Sequence, residues 1–231
     1  MPRYENTLSS LSMCGRFQLK ADDRTKVLLD ILQASGTLHY ADDIAPGAQI
    51  SIIEKEAVIK TASWWLLLDP VSLKPNYKYA SFNSRSDKLN QPRSLAYKPF
   101  RESRCLIPAS AFVEGLGDKK TYHKIELTDK AIAFGGLYKE YLNKETGEII
   151  YSASIITLPP VTKWANIHPK SIPLMLDYEN KALTEKWLDP AFNEVSEFKE
   201  ILQADIQQTQ RVTPIDRPSR WQSVGESFLL S

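Results

Sequence analysis

The sequence predicts an α+β fold built as one β-rich domain. Three observations carry that expectation. Strand-length runs of β-branched and aromatic residues recur along the chain. Strands and helices do not alternate regularly, which argues against a doubly wound α/β sheet. Proline outnumbers glycine, 14 to 9, as suits short elements joined by rigid turns. At 231 residues the length lies between one and two ordinary domains. No repeat or low-complexity linker divides it.

Taken in order, Met1–Ser12 carries Arg3, Glu5 and polar residues but no apolar core, so it is not a secretory signal. Residues 1–12 are expected to be an extension, disordered or removed, and 13–231 the folded domain. Segment 22–35 reads as a helix: Val27, Leu28, Ile31 and Leu32 share a face, Asp22 or Asp23 caps the start, and Gly36 follows the end. Ile50–Lys60 and Ala62–Leu68 read as strands, as do Thr121–Leu127 and Ile132–Tyr141. Glu148–Thr157 follows the hairpin loop 143–147. Val161–Ile167 reads as a short helix after Pro159-Pro160. Leu183–Leu188 and Val195–Ile206 read as acidic surface helices.

Composition excludes several classes. Hydrophobic residues make 42% and charged residues 25%, so the chain is not mainly disordered, collagen-like or a coiled coil. The longest apolar stretch, Trp64–Leu68, is far short of the roughly 18 residues a membrane helix needs, and no membrane partner is expected. The formal charge is +1, which does not suit nonspecific coating of nucleic acid. The balance is local: Lys74 to Arg104 holds eight cations against two acids, and Asp177 to Asp205 eight acids against three lysines. A basic surface on a neutral chain fits focused binding to one phosphate backbone; the other reading is a solvated loop with excess lysine. Two cysteines are too few for a disulfide scaffold or a four-cysteine zinc site, and three scattered histidines point to no metal. No cofactor is expected, and the default compartment is a reducing cytoplasm.

Four clusters carry chemistry. In Met13-Cys14-Gly15-Arg16-Phe17, initiation at Met13 and removal of that methionine would leave Cys14 first. An N-terminal cysteine joins an amine of pKa about 7.7–8.0 to a thiol of pKa about 8.5. The pair condenses with an aldehyde to an imine and then a five-membered thiazolidine. The other reading of Cys14 is a buried structural cysteine. In Phe82-Asn83-Ser84-Arg85-Ser86-Asp87, Asn83 suits a polar substrate and Arg85 a phosphate, while the same residues favour a turn or cap. The apolar run Arg104–Val113 ends at Glu114, where burial of a carboxyl favours general acid–base work; the alternative is an exposed Glu before a glycine turn. Cys105, inside that run, reads as core. Finally His168 leaves a short helix into a proline-braced loop, where a histidine can shuttle a proton near pH 7, whereas His39 and His123 have no such context.

Met-Cys-Gly-Arg-Phe, Asn83-x-Arg85-x-Asp87, Arg104-Cys-Leu-Ile-Pro-Ala…Phe112-x-Glu114, Gly135-Gly-Leu-Tyr138 and Thr157…His168…Ile172-Pro-Leu-Met-Leu176…Trp-Leu occur in one order. Together they resemble the SOS response-associated peptidase (SRAP) family, which includes abasic-site-processing proteins, over about Met13 to Thr213. The resemblance implies strongly curved sheets around a barrel-like core with short peripheral helices. It implies Cys14 as nucleophile toward the ring-opened aldehyde of an abasic site in single-stranded DNA, leaving a thiazolidine crosslink. Asn83 would position the sugar, and Glu114 and His168 would move protons. Arg85 and the backbone near Arg16 would hold phosphates, Trp64 and Trp65 would stack beside the lesion, and Pro46 and Thr157 would lie near the DNA groove. The resemblance further implies self-processing peptidase activity, lyase chemistry, contact with replication machinery, a monomer, and nucleoid association in a bacterium.

Four departures from that pattern bear on activity. Twelve residues precede Met13, and while they are attached the Cys14 nitrogen is an amide. Gly115 stands where the family carries Trp. His168-Pro169-Lys170-Ser171-Ile172-Pro173 replaces His-Arg-Met-Pro, with Lys170 a point charge in the arginine's place. Trp64-Trp65-Leu66-Leu67-Leu68 replaces Trp-Gly-Leu-Ile-Pro. The competing readings are a noncatalytic single-strand-binding relative and an amidohydrolase with an N-terminal nucleophile.

Overall fold

Five strands with buried β-branched and aromatic side chains close on themselves. The computed structural model describes residues 15–231. In chain order these five are β3 (Gln49–Glu54), β4 (Val58–Ser63), β6 (Arg104–Ala109), β9 (Ile132–Leu142) and β10 (Ile149–Leu158). Pairings β10–β4, β4–β3, β3–β6, β6–β9 and β9–β10 complete a ring, with only β10–β4 parallel. This is the barrel-like core. Its close packing needs Gly135: a Cβ there would lie 2.5 Å from Leu174 Cδ2, on the segment whose Leu174 carbonyl accepts from the Gly135 N–H at 2.9 Å.

Two short strands extend the barrel sheet. β5 (Asn83–Arg85) runs parallel to β10, and β11 (Ile172–Pro173) runs antiparallel to it. A second sheet is ordered β13 (Phe228–Leu230), β12 (Gln210–Ile215), β8 (Tyr122–Leu127), β7 (Ala111–Gly115), β1 (Phe17–Leu19), β2 (Ala41–Ile44). Aromatic edges lock the two sheets together. Phe17 meets Trp64 at 4.9 Å and Phe134 at 6.1 Å, and Phe112 meets Phe134 at 5.4 Å. Such T-shaped pairs add about 0.5–1.5 kcal/mol each beyond their buried area.

Helices lie outside this core: α1 (Asp23–Leu32), α2 (Tyr97–Glu102) and α3 (Lys181–Leu188). The α+β, β-rich expectation holds, with local corrections. α1 is capped by Asp22, which accepts from the Thr25 N–H at 2.9 Å, but it ends at Gln33 (φ 51°), ahead of Gly36. Ile50–Lys60 is two strands, β3 and β4, reversed through Lys55–Ala57 with Glu56 and Ala57 left-handed; no glycine or proline announces that turn. The strand read over Ala62–Leu68 stops at Ser63. The helices read over 161–167 and 195–206 are only 3-10 turns, Thr162–Trp164 and Val195–Lys199.

Candidate functional site

One end of the outer sheet carries a row of side chains across four strands. Phe17 pairs with Phe112, and the Val113 N–H donates to the Arg16 carbonyl at 2.9 Å. Continuing that register by one residue sets Gly15 opposite Glu114. Glu114 pairs with His123 on β8, and His123 with Pro214 on β12. The alternation that buries Phe112 also buries Glu114, two residues on, at 3% exposure. Cys14 lies outside the described residues; it is bonded to Gly15.

His168 meets this row from the other side. Its turn is held by Trp164, which stacks on Phe112 at 6.0 Å, donates to Gln210 Oε1 at 3.0 Å and accepts the His168 N–H on its carbonyl at 2.8 Å. The buried imidazole directs Nδ1 at the Gly115 carbonyl, 2.8 Å away, and lies 3.6 Å from Glu114 Oε2. A carbonyl only accepts, so Nδ1 carries the proton and Nε2 the lone pair. Burial pushes the imidazole below its ordinary value of 6.5, and Lys170 pushes the same way against the Gly115 hydrogen bond. His168 is therefore neutral near pH 7. Its Nε2 has no hydrogen-bond partner among the described residues.

Asn83 arrives on β5, where it pairs with Ile155 and Arg85 pairs with Thr157; Thr157 also pairs with Pro173 of β11. Beneath it a line of aromatic rings runs from Phe82 through Trp64, Phe17, Phe134 and Phe112 to Trp164. That floor ties the strands bearing Asn83 and Glu114 to the turn bearing His168. Among the described residues no three His, Cys, Asp or Glu side chains group as a metal site, and no helix is long and apolar enough to cross a membrane.

The structure corrects the reading of the two tryptophans. Trp64 and Trp65 are 0% and 2% exposed, and their indole N–H groups donate to the carbonyls of Phe82 and Asn76. They are core, and no face is open for a base. The exposed aromatics nearby are Tyr77 and Tyr79, 64% and 59% exposed. Tyr77 packs on Trp65 at 5.0 Å and reaches the turn at the half-buried Pro46-Gly47. The run Lys74-Pro-Asn-Tyr77-Lys78-Tyr79 alternates cations with aromatics, a signal present in the sequence.

Part of the basic stretch is also structural. Arg104 is buried and donates to the carbonyls of Phe100, Arg101, Lys186, Trp187, Asp189 and Phe192, closing the C-terminal end of α3. Arg101 donates to the Leu89 and Tyr97 carbonyls. Arg85 is exposed and forks onto Asp87 with two 2.9 Å bonds, and Arg16 pairs with Asp43. Lys170 is exposed beside the His168 loop, and Thr157 is buried. At Gly115 the neighbouring wall is supplied across the ladder: a Cβ there would lie 2.8 Å from the Tyr122 ring.

Comparisons with known proteins agree with this architecture. A family model described as SOS response associated peptidase (SRAP) matches residues 13–218. The chain is 30% identical over 187 residues to the abasic site processing protein YobE of Bacillus subtilis (strain 168), covering 77% of this chain and 83% of that one. It is 30% identical over 200 residues to the abasic site processing protein YoqW of the same organism, covering 83% and 87%. A solved protein from Bordetella bronchiseptica superposes with a TM-score of 0.67 at 18% identity, covering 88% of this chain and 100% of that one. One from Bacteroides thetaiotaomicron gives 0.66 at 21%, covering 88% and 93%.

Proposed function

The chain belongs to the SOS response associated peptidase family, and from that premise we propose that it processes abasic sites in single-stranded DNA by capturing them covalently at Cys14. The observation that carries the proposal is the buried His168 imidazole, 3.6 Å from a buried Glu114 whose partner, when the β1–β7 register is continued past Phe17, is Gly15. An acid and the residue next to Cys14 thus lie at one end of the outer sheet, and a base packs against that end. The names of the two Bacillus relatives support abasic-site processing as the reaction class.

The chemistry follows from the groups. The Cys14 amine, once free, adds to C1′ of the ring-opened sugar, and loss of one water gives an imine. The thiolate then adds to the imine carbon while the nitrogen gains a proton, closing the thiazolidine. A buried carboxyl and a neutral imidazole are suited to pass those protons. Asn83 supplies a donor and an acceptor for the sugar hydroxyls. If ring closure lags, the same imine allows elimination at the sugar and strand cleavage, which is the lyase reaction. Release of residues 1–13, by self-processing or by initiation at Met13 and removal of that methionine, frees the amine.

Phosphate binding falls to Arg85, Arg16 and Lys170, with Asp87 and Asp43 as the carboxylates a phosphate displaces. Base stacking falls to Tyr77 and Tyr79 in place of Trp64 and Trp65, at about 1–3 kcal/mol per base. The test is a denaturing gel after incubating protein that begins at Cys14 with a single-stranded oligonucleotide containing one abasic site. The expected result is a heat-stable adduct that Cys14→Ala abolishes. An equal yield from Cys14→Ala excludes the thiazolidine at Cys14, whereas no adduct from either protein favours a noncatalytic binding protein.

A further inference from the structure

The turn after β12 brings an aromatic ring and cations together. Residues 216–222 close through Asp216 N–H to the Gln222 carbonyl (3.0 Å) and Trp221 N–H to the Arg217 carbonyl (3.2 Å). Trp221, past the last residue of the family match, sits at φ 60°, in the left-handed region that costs a non-glycine residue free energy. What holds it is Asp43. The Trp221 indole N–H donates to Asp43 Oδ1 at 3.1 Å, while Asp43 Oδ2 takes the Arg16 guanidinium. One carboxylate therefore ties Trp221 to the arginine two residues from Cys14. The other four tryptophans are at most 2% exposed, whereas Trp221 is half-buried. Arg217 and Arg220 on the same turn are exposed, and Arg220 has only a loose 3.7 Å pairing with Asp216.

We propose that Trp221, with Arg217 and Arg220, forms a second contact for single-stranded DNA beside the Cys14 end, and that Asp43 competes with the DNA phosphate for it. The proposal rests on the single-strand reading above. An indole on a turn that also carries two exposed arginines suits a stacked base flanked by phosphates. Asp43 offers Arg16 and the indole N–H an anionic oxygen each, as a phosphodiester does. A strand that binds here exchanges those bonds and frees the ring to stack.

Because the other four tryptophans are buried, Trp221 is the one a bound strand can contact, and the change in tryptophan emission on binding, compared with Trp221→Ala, reports that contact. The experiment titrates the protein into a fluorescein-labelled single-stranded oligonucleotide without a lesion, reading anisotropy, and repeats the titration unlabelled, reading tryptophan emission. Quenching is expected in the native protein and its loss in Trp221→Ala, with binding weakened about five-fold or more. Asp43→Asn, which keeps shape and removes charge, is expected to tighten binding. Native-like affinity in Trp221→Ala, persistent quenching in that variant, or unchanged or weaker binding by Asp43→Asn overturns the proposal. A native protein that binds no strand in the anisotropy arm overturns the single-strand reading itself, whereas strand binding indifferent to Trp221 overturns the second contact alone.

Discussion

His168 donates its Nδ1–H to the carbonyl oxygen of Gly115 at 2.8 Å. Gly115 follows Glu114, so one hydrogen bond fixes the imidazole against the backbone of its carboxylate neighbour and leaves Nε2 with the lone pair. The orientation of the base is built into strand β7.

His168→Gln keeps a donor for Gly115 but loses the titratable nitrogen. Adduct formation is expected to slow by roughly a hundredfold, the low end for general acid–base catalysis, with the fold intact. Single-turnover gels against circular dichroism check this. A rate within twofold of native would remove His168 from the proton path.

The two buried histidines make stability fall in mild acid. Burial lowers the folded pKa of both His168 and His123 below 6.5. The unfolded chain therefore binds protons first as pH drops through 6.5, and stability present above that pH is lost below it. The lowered carboxyls of Asp22 and Glu126 act in a lower window, below their ordinary 3.8 and 4.5. Melting temperature should decline from pH 7.5 to 5.5, and His168→Gln should flatten the decline. A flat native profile contradicts the assignment.

Arg104→Met removes the guanidinium from six carbonyl oxygens, of which Asp189 keeps the Phe192 N–H. Burial already pushes the guanidinium down to about 10. The expected cost is about 3–5 kcal/mol in urea unfolding, with DNA affinity of the folded fraction unchanged. Loss of affinity without loss of stability would return Arg104 to the phosphate surface.

Gly115→Ala drives a Cβ to 2.8 Å from the Tyr122 ring. Overpacking of this kind costs about 1–3 kcal/mol, and Tyr122→Leu in the same chain should recover part of it. A fully additive double variant would show that the two residues do not press on each other.

The sequence made α1, β8, β9 and β10 readable because each has an uninterrupted period and a punctuated end. The β3–β4 reversal escaped because Glu56 and Ala57 turn left-handed without a glycine. The short strands β1, β2 and β13 escaped because three or four residues carry too little pattern, and their pairing is set by distant partners. Glu114 and His168 were readable as an acid and a base from their surroundings in sequence, but their closeness depends on tertiary packing that brings β7 against the 162–164 turn, as in the Phe112–Trp164 stack. Trp64 and Trp65 misled for the opposite reason: burial is a tertiary property, and an aromatic pair reads alike in a core or on a face.

Intact-mass spectrometry of the adduct, followed by peptide mapping, tests covalent capture most directly. Protein beginning at Cys14 should gain the mass of the abasic oligonucleotide less one water, and the gain should map to the peptide that starts Cys14-Gly15-Arg16. An unmodified protein mass, or a modification on any other peptide, would contradict capture by the Cys14 amine and thiol.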